Sequence, residues 1–329
     1  MLVGDFYMHM PASKRLLEII LFVYHLLLFL TKPGAFRRYL KITKTLPFFA
    51  VPKTYNEKYL WRKFVDHDPR FTILSDKLAC KSWVAKRAPE LRMANVVWQS
   101  DNPDDLLALP DFMFKMPLAF KSNHGQGDVC IFENGVSDVK SLREAGGRML
   151  AFDHGKANHE WGYFNIPRTL FFEELIMGQG CELSEVKIYT FGQDVKRIVH
   201  IGGRSDSLWA NAWELDSEGL VVPSAEKAAL GKPNEDIKPP ALIDKAIALA
   251  KMLGRDFDHM RVDLYWDGRE LWFGEMTVYN QAGYHKQPSG NSPDSELSRA
   301  WDIRSSHFMR KAALNCREKI YRNLLSSIM

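Results

Sequence analysis

The chain is 329 residues long, 46% apolar and 26% charged, with 44 Lys+Arg against 40 Asp+Glu for a net charge of +4. That length and mixture describe a globular protein of about two domains, and so small a basic excess, with no Lys/Arg stripe interleaved with aromatics, argues against a nucleic-acid partner. Cys80, Cys130, Cys181 and Cys316 are far apart with no CxxC spacing, which argues against a zinc ribbon or disulfide framework and for a reducing compartment.

The first element is an apolar run from Leu16 to Leu30, broken only by Glu18 and His25. As a helix it rises roughly 22 Å, short of the ~30 Å hydrocarbon core of a bilayer. Lys14 and Arg15 precede it; Lys32, Arg37, Arg38 and Lys41 follow, and no small-x-small cleavage site marks it as a signal peptide. The pattern predicts a helix in the membrane interface with basic flanks on anionic headgroups. A buried or partner-docking helix and a true span are the competing readings.

In "LPFFAVPKTYNEKYLWRKF", turn chemistry at Pro52 to Thr54 leads into an amphipathic helix with Tyr59, Leu60 and Phe64 on one side. "SDKLACKSWVAKR" reads as a helix capped by Ser75 or Asp76, and "DNPDD" at Asp101 to Asp105 as a loop or helix start. Short strands are expected in "FMFKMPLAFKSN", "VCIF" and "TLFFEELI", with a helical stretch around Val139 to Ala151. "EVKIYTFGQDVKRIVHIGG" is a hairpin joined at "GQD", and "PPALIDKAIALAKMLG" a helix that stops at Gly254. "HMRVDLYWDGRELWFGEMT" is a second hairpin, turning at Asp267-Gly268. The last segment, "SSHFMRKAALNCREKIYRNLLSSIM", reads as one basic amphipathic helix. Strands and helices in mixed order with two hairpins indicate an α+β architecture.

Three stretches carry chemistry. "FKSNHGQGDV" has a lysine four residues ahead of two glycines, either a phosphate cradle or a glycine-rich hairpin; it is not a Walker loop, whose lysine follows its glycines. In the last hairpin, strand alternation puts Arg261, Asp263 and Tyr265 on one face, and Glu275 and Thr277 on one face of the partner strand. Two carboxylates facing across apolar strands require a cation, and Mg²⁺ is the natural one beside phosphates. The plain alternative is an edge hairpin with solvated carboxylates. In "LFFEELIMGQGCELSEVKIYTFGQD", extended backbone at Glu174-Leu175-Ile176 is suited to an adenine edge and Glu185 to ribose hydroxyls, with Lys187 on the face of Glu185. A solvated charge on a hairpin fits that stretch equally.

In this order, the pieces resemble an ATP-grasp enzyme. More narrowly, the chain resembles the TupA-like branch, associated with bacterial cell-surface polysaccharide and teichuronopeptide synthesis. The resemblance rests on "PKTYNEKYLW", "DHDPRF", "SDKLACKSWV", "FKSNHGQGDV", "EWGYFNIPRTLFFEELI", "EVKIYTFGQ" and "RVDLYWDGRELWFGEMT", spanning residues 52 to 283. It implies an ATP-grasp fold, two α+β subdomains clamping ATP, preceded by the apolar helix and followed by a C-terminal amphipathic helix. The implied division is an apolar and basic segment over 1–45, a helical region over 46–110, a small subdomain with the phosphate loop over 111–180, a large subdomain with the metal site over 181–300, and a terminal helix over 301–329.

The same resemblance assigns residues. Lys121, Ser122, His124, Gly125 and Gly127 would form the loop over the triphosphate, with His124 either a phosphate donor or a structural ring. Lys77 matches the family's first phosphate lysine, with Lys81 as its competitor. Glu174 and Ile176 match the adenine hinge, Glu185 and Lys187 the ribose strand, Asp263 and Glu275 the metal ligands, and Arg261 the transition-state arginine. Many ATP-grasp enzymes carry E-x-N where this chain has Glu275-Met276-Thr277, a weaker ligand that Asn280 is placed to supplement. Arg204, in "IGGRSDSLW", is the candidate for a substrate or γ-phosphate contact. ATP and Mg²⁺ are the implied cofactors. The implied reaction is ligation of a carboxylate-bearing glycan to an amine or amino acid through an acylphosphate, in the cytoplasm at the inner face of the membrane. A sugar kinase on the same fold and a non-catalytic nucleotide-binding scaffold are the rivals. Glycosyl transfer is disfavoured by the lack of a D-x-D at a strand end.

Overall fold

In the computed structural model, which describes residues 12–203 and 207–329, the chain forms two compact units: one takes both ends of the chain, up to Asp66 and from Gln281 onward, and the other is His67–Asn280. The first unit opens with α1 (Ala12–Thr31), α2 (Pro33–Thr43) and α3 (Tyr55–Phe64). A capping box starts α3: Glu57 N donates to Thr54 Oγ1, and the Glu57 carboxylate accepts from Thr54 N. The expected amphipathic face is not what forms, because Tyr55 to Lys63 are buried on every side. The C-terminal segment takes the place of water on the polar side: Lys58 Nζ donates to Ser298 O and Trp301 O at 2.5 and 2.6 Å, and Lys63 Nζ to Ala282 O at 2.6 Å.

The second unit runs α4 (Arg70–Ser75), α5 (Lys77–Ala85), β1 (Val96–Ser100), β2 (Leu118–Ser122), β3 (Val129–Phe132), α6 (Val139–Ala151), α7 (His154–Asn158), β4 (Leu170–Glu174), β5 (Ser184–Phe191), β6 (Asp194–Gly202), β7 (Trp209–Leu215), β8 (Val221–Pro223), α8 (Ile243–Gly254), β9 (Met260–Trp266) and β10 (Leu271–Thr277). The chain then returns to the first unit with α9 (Pro288–Asn291), α10 (Glu296–Ala300), α11 (His307–Arg310) and α12 (Cys316–Ile328). Asp76 caps α5, its carboxylate accepting from Leu78 N and Ala79 N, and both hairpins form where expected. Two expectations are corrected. "FMF" is a 3₁₀ turn at Asp111–Phe114 that drops Met113 into the core, and the strand begins only after Pro117. The terminal helix is broken, because Asn315 and Glu318 build a capping box that starts α12 afresh.

Two antiparallel sheets organise the second unit, one of four strands in the order β1-β4-β2-β3 and one of six in the order β10-β9-β5-β6-β7-β8. Strands β1, β7 and β8 lie outside the segments the sequence marks as strands. Each sheet has one apolar face against helices. On the large sheet, Val186, Ile188, Val262 and Leu264 pack on Ala246, Leu249, Ala250 and Leu253 of α8. On the small sheet, Leu118, Phe120, Leu170 and Phe172 pack on Leu142 and Met149 of α6. With a side-chain period of two, the intervening residues of both sheets face the other way, and most of the charged ones lie there.

Candidate active site

On the large sheet, register places the charges. Arg261 pairs with Thr277 and Tyr189, and Asp263 with Glu275 and Lys187. Residues directly opposite in a ladder share a face, so this set forms one polar array. A bulge between Phe273 and Glu275 keeps it in phase. The residue taken up there is Gly274, where a Cβ would lie 2.8 Å from the Asp263 carbonyl oxygen. Glycine is what lets β10 come this close to β9.

Asp263 is fully buried and is gripped from two sides. Arg261 donates to it bidentately, Nε to Oδ1 at 2.7 Å and Nη2 to Oδ2 at 2.6 Å, while Lys187 Nζ donates to Oδ2 at 2.8 Å. Burial alone would raise the Asp263 pKa; Arg261 and Lys187 outweigh it and hold the carboxyl below its usual range. Burial likewise opposes charge on Arg261 and Lys187, but the carboxylate prevails and raises both. Lys187 Nζ also donates to Glu185 Oε1 at 2.6 Å, so one ammonium bridges the two carboxylates expected at ribose and metal. Thr277 Oγ1 accepts from Arg261 at 2.9 Å and donates to Glu275 Oε1 at 2.9 Å. Asn280 accepts from Arg261 through Oδ1 and donates to Tyr189 Oη at 3.1 Å. Thr277 and Asn280 thus contact Arg261 in this structure, fixing its guanidinium.

The small sheet supplies the opposing groups. Lys121 Nζ lies 2.5 Å from Glu173 Oε1, and Lys81 Nζ 2.8 Å from Glu173 Oε2. Burial pushes the Glu173 pKa up, but the two lysines outweigh it and lower it. Lys77 Nζ donates to the Gly125 carbonyl, and its pKa is lowered, chiefly by burial and partly against the pull of Glu275. The loop after Lys121 is tethered along its length. Asn123 donates to Pro167 O at 2.8 Å and accepts from Thr169 N at 2.9 Å, and the His124 ring sits 3.3 Å from both Asn123 Oδ1 and Phe152 O. Gln126 Nε2 donates to Tyr163 Oη at 2.9 Å and Glu160 Oε2 at 3.1 Å. Gly127 has φ +84°, a left-handed conformation that favours glycine. Burial pushes the His124 pKa down to about 4.

A cleft of about 330 Å³ lies between the two polar faces. Lys81, Lys121, Glu173 and Glu185 line its polar side, and Val129, Ile131, Ile176 and Phe273 its apolar side. At the strand end, Glu174 N is taken by Asn95 O and Leu175 N by Pro117 O, which leaves the Ile176 peptide at the cleft edge. The Glu174 side chain accepts from Asn95 Nδ2 at 2.8 Å. Ser122 is buried, with no partner for its Oγ. Arg204 lies outside the described residues.

Among the described residues, no group of three or more His, Cys, Asp and Glu is placed to hold a metal ion. Asp263 and Glu275 do stand opposite each other, and the Glu275 side chain is 45% exposed with its contacts confined to Oε1. Mg²⁺ is usually held by one or two carboxylates, with phosphate and water oxygens completing its shell. The pair fits a Mg²⁺ that arrives with phosphates. Two participants escaped sequence reasoning: Glu173, which pairs both lysines, and the Gln126–Tyr163 contact. Glu173 had a signal, because strand period two puts it on the face of Lys121 in the pairing of β4 with β2.

The TupA-like ATP-grasp family model matches residues 57–300. No curated protein matches the chain. Among solved structures it is similar to D-alanine-D-alanine ligase from Helicobacter pylori, at 14% identity and TM-score 0.44 over 75% of this chain and 69% of that one. It is also similar to the ATP-grasp ligase PsnB with a phosphomimetic variant of its minimal precursor, Mg and ADP, at 13% identity and TM-score 0.38 over 72% of this chain and 62% of that one. A third is the D-cycloserine synthetase DcsG, at 18% identity and TM-score 0.37 over 72% and 71%.

Proposed function

The chain belongs to the TupA-like ATP-grasp family, and on that premise we propose that it is an ATP-dependent carboxylate–amine ligase of cell-surface polysaccharide assembly. The substrate pair is a carboxylate-bearing glycan, such as one carrying a uronic acid, and an amino acid or other amine. One observation carries the reading: the buried Arg261–Asp263–Lys187 array and the half-exposed Glu275 share a sheet face beside a cleft lined by both apolar and charged side chains.

The residues divide the work. Ile131, Ile176 and Phe273 offer apolar surface to a base, the Ile176 peptide offers it hydrogen bonds, and Glu185 accepts from the ribose. Lys121 and Lys77 stand where phosphates enter, and exchanging Glu173 and the Gly125 carbonyl for phosphate oxygens keeps each ammonium paired. Asp263 and Glu275 would hold Mg²⁺, which neutralises phosphate charge when bound. In the first step a carboxylate oxygen takes the γ-phosphoryl group, forming a C–O–P linkage as the bond to ADP breaks. In the second the amine attacks the acyl carbon, the C–N bond forms, phosphate leaves with the C–O electrons, and the amine proton passes to solvent. Arg261 cannot swing away, because Asp263, Thr277 and Asn280 hold it, so its charge is pre-set for the moving phosphoryl group.

The intermediate gives the test. An acylphosphate is electrophilic, so hydroxylamine supplied with ATP and a uronic-acid glycan should yield a hydroxamate, ADP and free phosphate. Screening amino acids for ADP release against such glycans then identifies the amine. A stable phosphorylated sugar with no free phosphate would make the protein a kinase and end the ligase reading.

A further inference from the structure

Helix α1 is apolar on the side the fold leaves uncovered as well as on the side it buries. Inward, Leu21 is 2% exposed, Tyr24 stacks on Tyr321 of α12 with centroids 4.0 Å apart, and His25 lies against Phe48 at 4.6 Å. Outward, Leu16, Ile19, Phe22, Leu26, Leu27 and Leu30 are 44 to 64% exposed. At 3.6 residues per turn these six sweep a sector of roughly 140°, and no polar residue between Leu16 and Leu30 falls within it. A helix that is hydrophobic all round belongs in a buried setting, and an exposed apolar patch of this kind marks an interaction surface.

Charge identifies the occupant. Residues 12–44 hold seven Lys and Arg against the single Glu18, a net +6 where the whole chain is +4, so the rest of the chain carries −2. Arg37, Arg38, Lys41 and Lys44 are exposed along α2 and at its end, past a 96° bend at Lys32. Among the described residues no single helix is long and apolar enough to cross a membrane, although α1 and α2 together reach that length as a bent pair, and the inward side of α1 is already packed on its own unit. A second copy seated on this face would bring two +6 segments together within the ~10 Å screening length of ordinary buffer.

We propose that the outer face of α1, with the basic residues of α2, docks on the anionic headgroup layer of a bilayer, lying in its surface. The proposal is independent of the ligase reading. Its test is flotation of the full-length protein with vesicles of equal parts phosphatidylglycerol and phosphatidylcholine, and with phosphatidylcholine alone, at low and high salt. The protein should float with the anionic vesicles, several-fold less as salt rises, and scarcely with the neutral ones. Arg37→Glu with Lys41→Glu should lower the affinity on the order of tenfold or more, since each basic residue near such a surface contributes comparably. Phe22→Ser with Leu26→Ser should abolish flotation while the melting temperature and its shift with MgATP stay unchanged, because both side chains are exposed. Equal binding to neutral vesicles at every salt would overturn the headgroup assignment. A chain that ignores both vesicles but sediments as a dimer, which Phe22→Ser with Leu26→Ser dissociates, would make the face a contact between copies and overturn the proposal.

Discussion

The two sides of the candidate site are positioned by different physics. On the six-stranded sheet, the charged groups stand where ladder register puts them, so moving Asp263 or Arg261 means moving β9 between its two neighbours. In the loop between β2 and β3, the groups stand where side-chain tethers hold them: Asn123 to Pro167, Lys77 to Gly125, Gln126 to Tyr163. In the first region a change at a buried member should therefore damage fold and function together. In the second it should affect ligand affinity and leave the fold nearly intact.

The sharpest way to break that contrast is Asp263→Asn. It leaves Arg261 and Lys187 buried with their shared countercharge gone, and breaking a buried pair from one side costs about 3–5 kcal/mol. Chemical denaturation should show that loss, and turnover should fall below detection in the same variant. Glu275→Gln, on the same sheet face but half-exposed, should stay within about 1 kcal/mol of the parent. Its melting temperature should still rise with ATP but no longer depend on Mg²⁺. If both variants lose equal stability, the burial difference is not what separates them.

For the loop, Gly127→Ala forces a side chain into left-handed backbone, at a cost of about 1–2 kcal/mol. The parent loop conformation should be abandoned before the fold is, so the ATP-induced thermal shift should shrink while the melting temperature without nucleotide changes by only a few degrees. The smallest effect is one of pH. Burial holds His124 at about 4 and lowers His154 as well, whereas an unfolded histidine titrates near 6.5. Between those values the unfolded chain binds more protons than the folded one, so stability declines as pH falls from about 6.5 towards 4. Asp263, held below the usual carboxylate range, keeps its charge across that window. His124→Gln should flatten the decline in melting temperature, and an unchanged slope would remove the histidine from the account.

Much of the large-sheet side was legible beforehand. Asp267-Gly268 announced the turn, and alternation then put Arg261, Asp263, Glu275 and Thr277 on one side. What could not be read were partners that depend on tertiary neighbours. Nothing in "EVKIYTF" says that Lys187 bridges to Asp263, because β5 meets β9 only across an intervening stretch of other elements. The bulge at Gly274 is visible only as a glycine in a strand. Helix α3 misled for the same reason: Lys58, Arg62 and Lys63 look like a solvated face until the segment after Gln281 covers them. A local signal did exist in α12, where Asn315 followed by Glu318 marks a fresh helix start within what reads as one basic segment.

The first unit is discontinuous in the chain, and that has a consequence in time. Lys58 finds its carbonyl acceptors 240 and 243 residues later, and Tyr321 reaches back to Ala50 across 271. Contacts of such sequence separation carry a large loop-closure cost and form slowly. During synthesis, Asp66 leaves the ribosome long before Gln281 exists, so α3 waits uncovered while the continuous stretch from His67 to Asn280 has the means to fold by itself. The unit bearing the apolar helix is thus the last to be completed, and truncating α12 should strand it unfinished.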